Sequence, residues 1–427
     1  MVGMVREFCP HYLESRHPYG CRPHGDALLA LRSQRVSSCF HALEDEALLA
    51  ILSLLDAHTL ARLSSVNKLF YVFCNYSELW RDLALMLYQT RGLPVEYNGS
   101  WRDTVVVLLS RTLHLHTPMH VEGVFSSALS RGWACVAYDL DLSLPKFYEL
   151  NNVPHIDAAD TSYVSFLANY EAKNIPVVIS NAISGWGALS KWTDEYLSQV
   201  CGEKLFRATS AMASHSAAFT MEQYLHYSKR SKDEVPLYLF ERDFASHEGL
   251  SADFNVPSFF DSTLHPGTDL FRVFGKSRPD HRWLIVGPKK SGSIFHIDPN
   301  MTHAWNAVIR GRKKWIFYPP HISPPVRAIT VSNICFCDDE EPLVENPYAA
   351  VITASACGIN PWLTESQPLL LRYLTVTLAA SMPHRVTFAI GVVAKVTHHS
   401  FRGQPWGVVQ PGGSQNDVPL GSVIDPC

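Results

Sequence analysis

No CxxC pair occurs in this sequence. Its ten cysteines are scattered, and the nearest approach to a motif is Cys335-x-Cys337. That pattern fits neither a disulfide framework nor a zinc module, and it reads as a reducing, intracellular setting in which thiols stay free. Positive charge is short as well. A formal net charge of -4 argues against a general nucleic-acid-binding surface. The basic cluster Lys229-Arg230-Ser231-Lys232 is too short for an import signal and reads as a solvated loop. No apolar run approaches the roughly 18 residues that would span a bilayer. The stretch from Met1 to Gly25 mixes Arg, His and Pro without the apolar segment of a signal peptide. The expectation is a soluble protein of the nucleus and/or cytoplasm, with no membrane partner and no strong nucleic-acid signal.

What is present is globular in character. Apolar residues make up 47% of the chain and charged residues 18%. A length of 427 residues exceeds one ordinary core and implies two or three domains. Pattern changes divide the chain into a loose leader (1–36), a helical module (37–86), a connecting region (87–160), a β-rich core (161–325) and a region of different character (326–427). The Gly-, Pro- and Gln-rich stretch from Arg402 to Cys427 is expected to be disordered.

In the helical module, Leu43, Ala47, Leu48, Ile51, Leu52 and Leu55 recur at three- and four-residue spacing and mark one apolar stripe. Asp56 follows as a helix cap. Leu60, Leu63, Val66, Phe70 and Phe73 mark a second stripe, and Leu79-Trp80 with Leu83 a third. Three short amphipathic helices form a small bundle. The connecting region, punctuated by Pro145 and Pro154, has apolar content but no readable mechanism.

The core reads as short strands. Phe166, Tyr170 and Glu171 lie on a helix, followed by strand candidates at Ile175–Ile179, Leu237–Phe240, Trp283–Val286, Ile294–Ile297, Ala304–Ile309 and Lys314–Tyr318. Many short strands with few helices between them predict a jelly roll or similar sandwich. Further on, Leu369–Ala380 reads as a helix or a buried strand, and acidic Asp338–Glu341 as a solvated loop.

One triplet carries chemistry. His296-Ile297-Asp298 lies on a strand candidate, so its His and Asp point to one face and can share an ion. Imidazole plus carboxylate suits Fe(II), and one more His completes a facial triad with open positions. A His and an Asp two apart occur by chance in many chains, so the neighbours matter. Asn306 lies between the apolar Trp305 and Ala307 and needs a partner if buried. Lys313 reads alone as an ordinary turn lysine; near a metal it could pair with a carboxylate. Trp186, Trp192 and Trp283 read as core rather than cage, and His215 and His226 as ordinary partly buried histidines.

Two resemblances follow from these residues. Leu43-Glu44-Asp45-Glu46-Ala47-Leu48-Leu49-Ala50-Ile51-Leu52, then Leu60 to Lys68 and Leu79-Trp80-Arg81, resemble an F-box, with Glu44 where the usual Pro would stand. Gly287-Pro288-Lys289-Lys290-Ser291-Gly292-Ser293 leads into His296-Ile297-Asp298-Pro299. Ala304-Trp305-Asn306-Ala307 follows, then Gly311-Arg312-Lys313-Lys314-Trp315 and Tyr318-Pro319-Pro320. That run, with Pro236-Leu237-Tyr238-Leu239-Phe240, resembles the jumonji C family, in particular its arginine-demethylase/lysyl-hydroxylase branch.

The resemblance implies an α+β multidomain chain: a helical F-box-like bundle, then a double-stranded β-helix (jelly-roll, cupin-like) domain that is divergent or incomplete toward its C-terminus. It implies Fe(II) as cofactor and 2-oxoglutarate as cosubstrate. It makes His296 and Asp298 metal ligands, Lys313 the cosubstrate lysine, Asn306 a pocket amide and Tyr238 a pocket tyrosine, where an ordinary core Tyr stays open. The reaction implied is hydroxylation of a protein side chain, or removal of an N-methyl group as formaldehyde, on lysine or arginine of histones or other nuclear proteins. The F-box resemblance implies docking on a ubiquitin-ligase adaptor of the Skp type.

The chain departs from the family in its second half. The family's Gly-Trp-Trp-His strand, which supplies the third ligand, is missing; no Trp-Trp-His exists anywhere. His384, before the strand-like Val386–Ile390, is the best substitute, ahead of His398 and His399. Two other readings therefore stand beside the dioxygenase. One is an F-box protein that recruits targets to a ubiquitin ligase, with the β-rich domain as a binding module. The other is a truncated product with exposed sheet edges.

Overall fold

The computed structural model describes residues 17–25, 43–110, 116–137, 152–210, 215–278, 281–293 and 303–311, residues 313, 315 and 317, and the backbones of 372–379 and 388–391. The chain divides into two compact units, Met1–Lys395 and Val396–Cys427, and the second lies wholly outside the described residues.

The helical module begins with α1 (Asp45–Ser53), α2 (Ala57–Leu63), α3 (Lys68–Cys74) and α4 (Ser77–Arg91). Asp56 caps α2 as its sequence position predicts: its carboxylate accepts from Thr59 N at 2.8 Å. The second apolar stripe, expected as one helix, is two. Asn67 interrupts it by accepting from Phe70 N at 2.9 Å, which starts α3 anew and leaves Val66 65% exposed at the break. Gly92 ends α4 in the left-handed conformation, φ 63°, as a glycine C-cap does.

The connecting region adds α5 (Trp101–Ser110) and α6 (Ser127–Ala137). It had no mechanism legible in sequence, yet Trp101 anchors it. The buried indole Nε1 donates to both oxygens of buried Asp233, at 2.8 and 2.9 Å, and Tyr227 Oη donates to the same carboxylate at 2.7 Å. Beyond α4, Val95 N donates to Ala218 O at 2.8 Å, so the chain runs along a strand edge. Residues 17–25, part of the expected leader, are held as well. Arg22 bridges Phe125, Ser126 N donates to Arg22 O at 2.8 Å, and Cys21 is buried.

The β-rich part opens with β1 (His155–Asp157) paired in parallel with β2 (Val178–Ser180), around α7 (Tyr163–Phe166) and its π-helical continuation Leu167–Glu171. Then come α8 (Ala188–Lys191), α9 (Asp194–Cys201), β3 (Leu205–Thr209), β4 (Ala217–Thr220) and α10 (Met221–Arg230). A capping box starts α10: Thr220 Oγ1 accepts from Gln223 N while Gln223 Oε1 accepts from Thr220 N. Lys229 and Arg230, expected in a loop, form its last turn, where cations complement the helix dipole. His226 is exposed rather than partly buried, and its Nδ1 lies 2.8 Å from Arg230 Nη1.

After β5 (Tyr238–Glu241), β6 (Arg282–Gly287), β7 (His303–Arg310), β8 (Arg372–Ala379) and β9 (Phe388–Gly391), the strands form a seven-stranded sheet in the order β4-β3-β5-β6-β8-β7-β9. The β4-β3-β5-β6 half is antiparallel. In the other half β8 pairs in parallel with both β6 and β7, and β9 is antiparallel to β7. The architecture is the expected helical module followed by a β-rich cupin-like domain. The ambiguous Leu369–Ala380 stretch resolves as strand β8, consistent with its alternation of Tyr373, Thr375 and Thr377 with Leu374, Val376 and Leu378. The residues expected as a strand at Lys314–Tyr318 show none at positions 315 and 317. Ile294–Ile297 lies outside the described residues.

A single apolar core runs from Cys21 through the helices to Ile309. It takes one face of the sheet: Phe206, Ala208, Phe219, Leu239, Leu284, Val286, Trp305, Ala307 and Ile309, all buried. Trp186 and Trp192 are buried in it, as expected, and Trp186 meets Trp305 edge-on at 6.3 Å.

Candidate active site

The period of two along each strand turns the alternate residues to the opposite face. On β3 that face carries Arg207 and Thr209, on β5 Tyr238 and Phe240, on β6 Trp283 and Ile285, and on β7 Asn306 and Val308. The ladder register confirms the grouping. Phe240 lies opposite Ile285, Ile285 opposite Thr377, and Thr377 opposite Val308. Trp283, Thr375, Asn306 and Ala389 form one transverse row. Trp283, expected in the core, is half-buried here with its ring 5.7 Å from that of Phe240, which is itself 37% exposed.

Two of the expected pocket residues lie on this face, but they are not neighbours. Tyr238 is half-buried and its Oη lies 3.3 Å from Ser293 Oγ. Asn306 is 3% exposed. Four strand positions and three interstrand steps separate them, roughly 20 Å from standard sheet spacings. One of the three steps comes from β8, which inserts between β6 and β7 and widens the sheet.

Lys313 follows Gly311, which turns the chain out of β7 at φ 78°. The sequence reading gives it a carboxylate partner. In the structure it is half-buried with Nζ 4.2 Å above the Trp315 ring, a cation–π geometry. His296, Asp298 and His384, the expected metal ligands, lie outside the described residues, as do His398 and His399. Among the described residues no group of three or more His, Cys, Asp or Glu side chains could hold a metal ion.

The turn that leads toward His296 is built tightly. A Cβ on Gly287 would overlap Ser291 Oγ and sit 3.4 Å from Tyr238 Cβ, so a side chain there forces Ser291 to shift. Ser291 closes the turn, its N and Oγ both donating to Pro288 O, at 3.2 and 2.7 Å. Beneath it, the buried Tyr224 hydroxyl sits 2.6 Å from Val286 O and 3.1 Å from Leu237 O, joining the ends of β5 and β6. Burial pushes that phenol well above its ordinary pKa, so it stays protonated. Ser293 and Tyr224 are site supports that sequence reasoning missed. Ser293 was visible only as the end of a Gly-Ser turn, and Tyr224 only as one aromatic on an amphipathic helix.

Chemically, the arrangement offers a half-open, aromatic-lined sheet face with a hydroxyl pair at one end, a buried amide at the other and an ammonium beyond the turn. The expected ligands His296 and Asp298 offer an imidazole and a carboxylate by residue type, a donor set that suits Fe(II), which takes nitrogen and carboxylate oxygen together.

Comparison with known proteins agrees. Residues 164–352 match the family described as a cupin-like domain, and residues 45–86 the family described as F-box-like. An Arabidopsis thaliana protein named arginine-specific demethylase JMJ22 is 37% identical over 288 residues, 66% of this chain and 53% of the relative. A Caenorhabditis elegans protein named bifunctional arginine demethylase and lysyl-hydroxylase psr-1 is 34% identical over 192 residues, 44% of this chain and 46% of the relative. A mouse (Mus musculus) protein named 2-oxoglutarate and iron-dependent oxygenase JMJD4 is 28% identical over 183 residues, 37% of this chain and 42% of the relative. The chain thus spans about half the length of these relatives.

Proposed function

We propose that this chain, which carries a cupin-like domain of the jumonji C type behind an F-box-like module, is an Fe(II)- and 2-oxoglutarate-dependent dioxygenase of protein side chains. The supporting observations are the match of residues 164–352 to the cupin-like family and the similarity of the chain to relatives named as demethylases, a lysyl-hydroxylase and an iron-dependent oxygenase. His296, Asp298 and a third histidine, His384 in this reading, would hold the metal. With both groups bound, the site would convert 2-oxoglutarate and O₂ to succinate and CO₂ while one oxygen atom enters a substrate C–H bond.

The chain's own side chains do the rest. The Lys313 ammonium pairs with the distal carboxylate of the cosubstrate, leaving the Trp315 face it now occupies. The Tyr238 hydroxyl and, at a separate point on the same face, the Asn306 amide supply hydrogen bonds, and the Phe240 and Trp283 rings lie between them. If the target carbon belongs to an N-methyl group, the hydroxylated product releases formaldehyde, which is demethylation. The substrates are lysine or arginine side chains of histones or other nuclear proteins, and the site of action is the nucleus and/or cytoplasm. Residues 161–325 form the catalytic core of this reading, with 1–36, 37–86, 87–160 and 326–427 as the flanking divisions. No helix among the described residues is long and apolar enough to cross a membrane.

A second role, recruitment to a ubiquitin ligase, is favoured by one observation. The F-box-like module presents Ile51, Leu54 and Val66 to solvent, Leu54 at 84%, as a face for an adaptor of the Skp type would require. The two roles are compatible.

The test is turnover. Histone-tail peptides carrying methylated or unmethylated Arg and Lys are incubated with the full chain, Fe(II) and 2-oxoglutarate, and read by mass spectrometry and succinate release. Gain of one oxygen or loss of one methyl, dependent on His296 and Asp298, supports the dioxygenase. Adaptor binding without any turnover leaves only the recruitment role.

A further inference from the structure

The turn Gly287–Ser293 follows β6 and ends on Ser293, whose Oγ lies 3.3 Å from Tyr238 Oη, so whatever fixes this turn fixes that contact with the candidate pocket tyrosine. Lys290 sits at its tip with φ 71°, a left-handed conformation costly for a side chain with a Cβ. Its ammonium reaches across to α6, 2.7 Å from Cys135 O and 2.5 Å from Val136 O. These carbonyls belong to the last turn of α6, which has no basic residue of its own. A cation at that end satisfies orphan acceptors and meets the negative pole of the helix dipole.

The other end of α6 is fixed in the complementary sense. Its first turn has no acid of its own. Buried Asp45 of α1 supplies one, accepting from Ala128 N at 3.1 Å and from Ser126 Oγ at 2.8 Å, while Ser126 Oγ accepts from Leu129 N at 3.0 Å. One eleven-residue helix is therefore held by an anion from the F-box-like module and by a cation from the turn beside the candidate site.

We propose that Lys290 is a positioning residue: its two bonds to α6 hold the turn Gly287–Ser293 in place and keep Ser293 against Tyr238, where Tyr238 meets the cosubstrate. The last clause rests on the dioxygenase reading; the hold on the turn does not. Lysine suits the task because one compact ammonium can donate to two adjacent carbonyls, and the strained backbone at Lys290 persists only because those bonds oppose it.

The test compares the full chain with Lys290→Met and Lys290→Arg by amide hydrogen exchange and by anaerobic Fe(II)/2-oxoglutarate titration. Methionine keeps the length and removes the donors; arginine keeps them. In K290M, exchange at Ser291 and its neighbours rises at least about tenfold while β6 and α10 keep wild-type protection, and K290R restores the slow exchange. Metal and cosubstrate binding weakens about tenfold in K290M and recovers in K290R. Unchanged exchange in K290M overturns the proposal, as does equal loosening in both variants. Loosened exchange with unchanged metal affinity overturns the link to the site. If the wild-type chain binds no metal, the dioxygenase reading falls, and the exchange data still decide whether Lys290 holds the turn.

Discussion

The two faces of the seven-stranded sheet are made from the same strands and differ in almost everything else. One presents Leu239, Leu284, Val286, Trp305, Ala307 and Ile309 to a continuous core and leaves none of them exposed. The other presents Arg207, Tyr238, Phe240, Trp283 and Asn306, a mixed set of rings, an amide, a hydroxyl and a cation, several of them half-open to solvent. The first face is continuous with the core, and the second is mixed in polarity and only partly buried. A residue's place in a two-residue period thus decides which cost its replacement incurs.

Substitutions should separate the faces by magnitude. Leu284→Ala removes a fully buried side chain from the core face and should cost about 2–5 kcal/mol of unfolding free energy, read from denaturant melts. A loss near that of a surface substitution would mean that this face is not the core. Gly287→Ala, at the end of β6, forces Ser291 to shift. We expect about 1–3 kcal/mol, with faster exchange at Ser291, and a neutral result would show that the turn yields freely.

Acidification should produce a smaller effect. At the end of β7, Arg310 Nη1 donates to Asp194 Oδ1 at 2.8 Å, and Lys229 Nζ lies 2.8 Å from Oδ2. Burial pushes the Asp194 carboxyl up, but hydrogen bonds from Lys229 and Arg310 outweigh it and hold the group below its ordinary value. A carboxyl lowered in the folded state stabilises above its unfolded pKa, and that stability is lost as pH falls through the folded value. Asp194→Asn should therefore lose under about 1 kcal/mol at neutral pH, because the ion pairs are partly exposed, and the loss should vanish once pH has fallen through the lowered folded-state value. A difference that persists in acid would contradict the ion-pair account. Smallest of all, Phe240→Ser on the open face should change stability by no more than about 0.5 kcal/mol. A loss comparable to Leu284→Ala would mean that both faces are core.

The strands that carry this comparison were legible because alternation is local. Leu237–Phe240, Trp283–Val286 and Ala304–Ile309 each read as strand and fold as strand. So did the Asp56 cap, whose partner Thr59 lies within one turn. What escaped the sequence was either a competing local bond or a distant partner. The Asn67 cap split one apolar stripe into two helices. The Trp101–Asp233 anchor and the Lys290 contact with α6 join residues far apart in the chain, and no periodicity announces them. At the candidate site, the sequence names residues but not how far apart the fold sets them. Tyr238 and Asn306 do share a face, but the insertion of β8 between β6 and β7 adds one step to their separation, and a strand order cannot be read from one chain. The contact of Lys313 Nζ with the Trp315 ring, 4.2 Å to its centroid, was likewise not read from the sequence.

The most direct test of the account is an anaerobic titration of the purified full chain with Fe(II) and 2-oxoglutarate, followed by the metal-to-ligand absorption band, with His296→Ala as control and His384→Ala beside it. The account predicts a band from the wild-type chain that is lost in His296→Ala and weakened in His384→Ala. A well-folded wild-type chain that shows no band would contradict the dioxygenase and leave the F-box-like module as the functional part of the molecule.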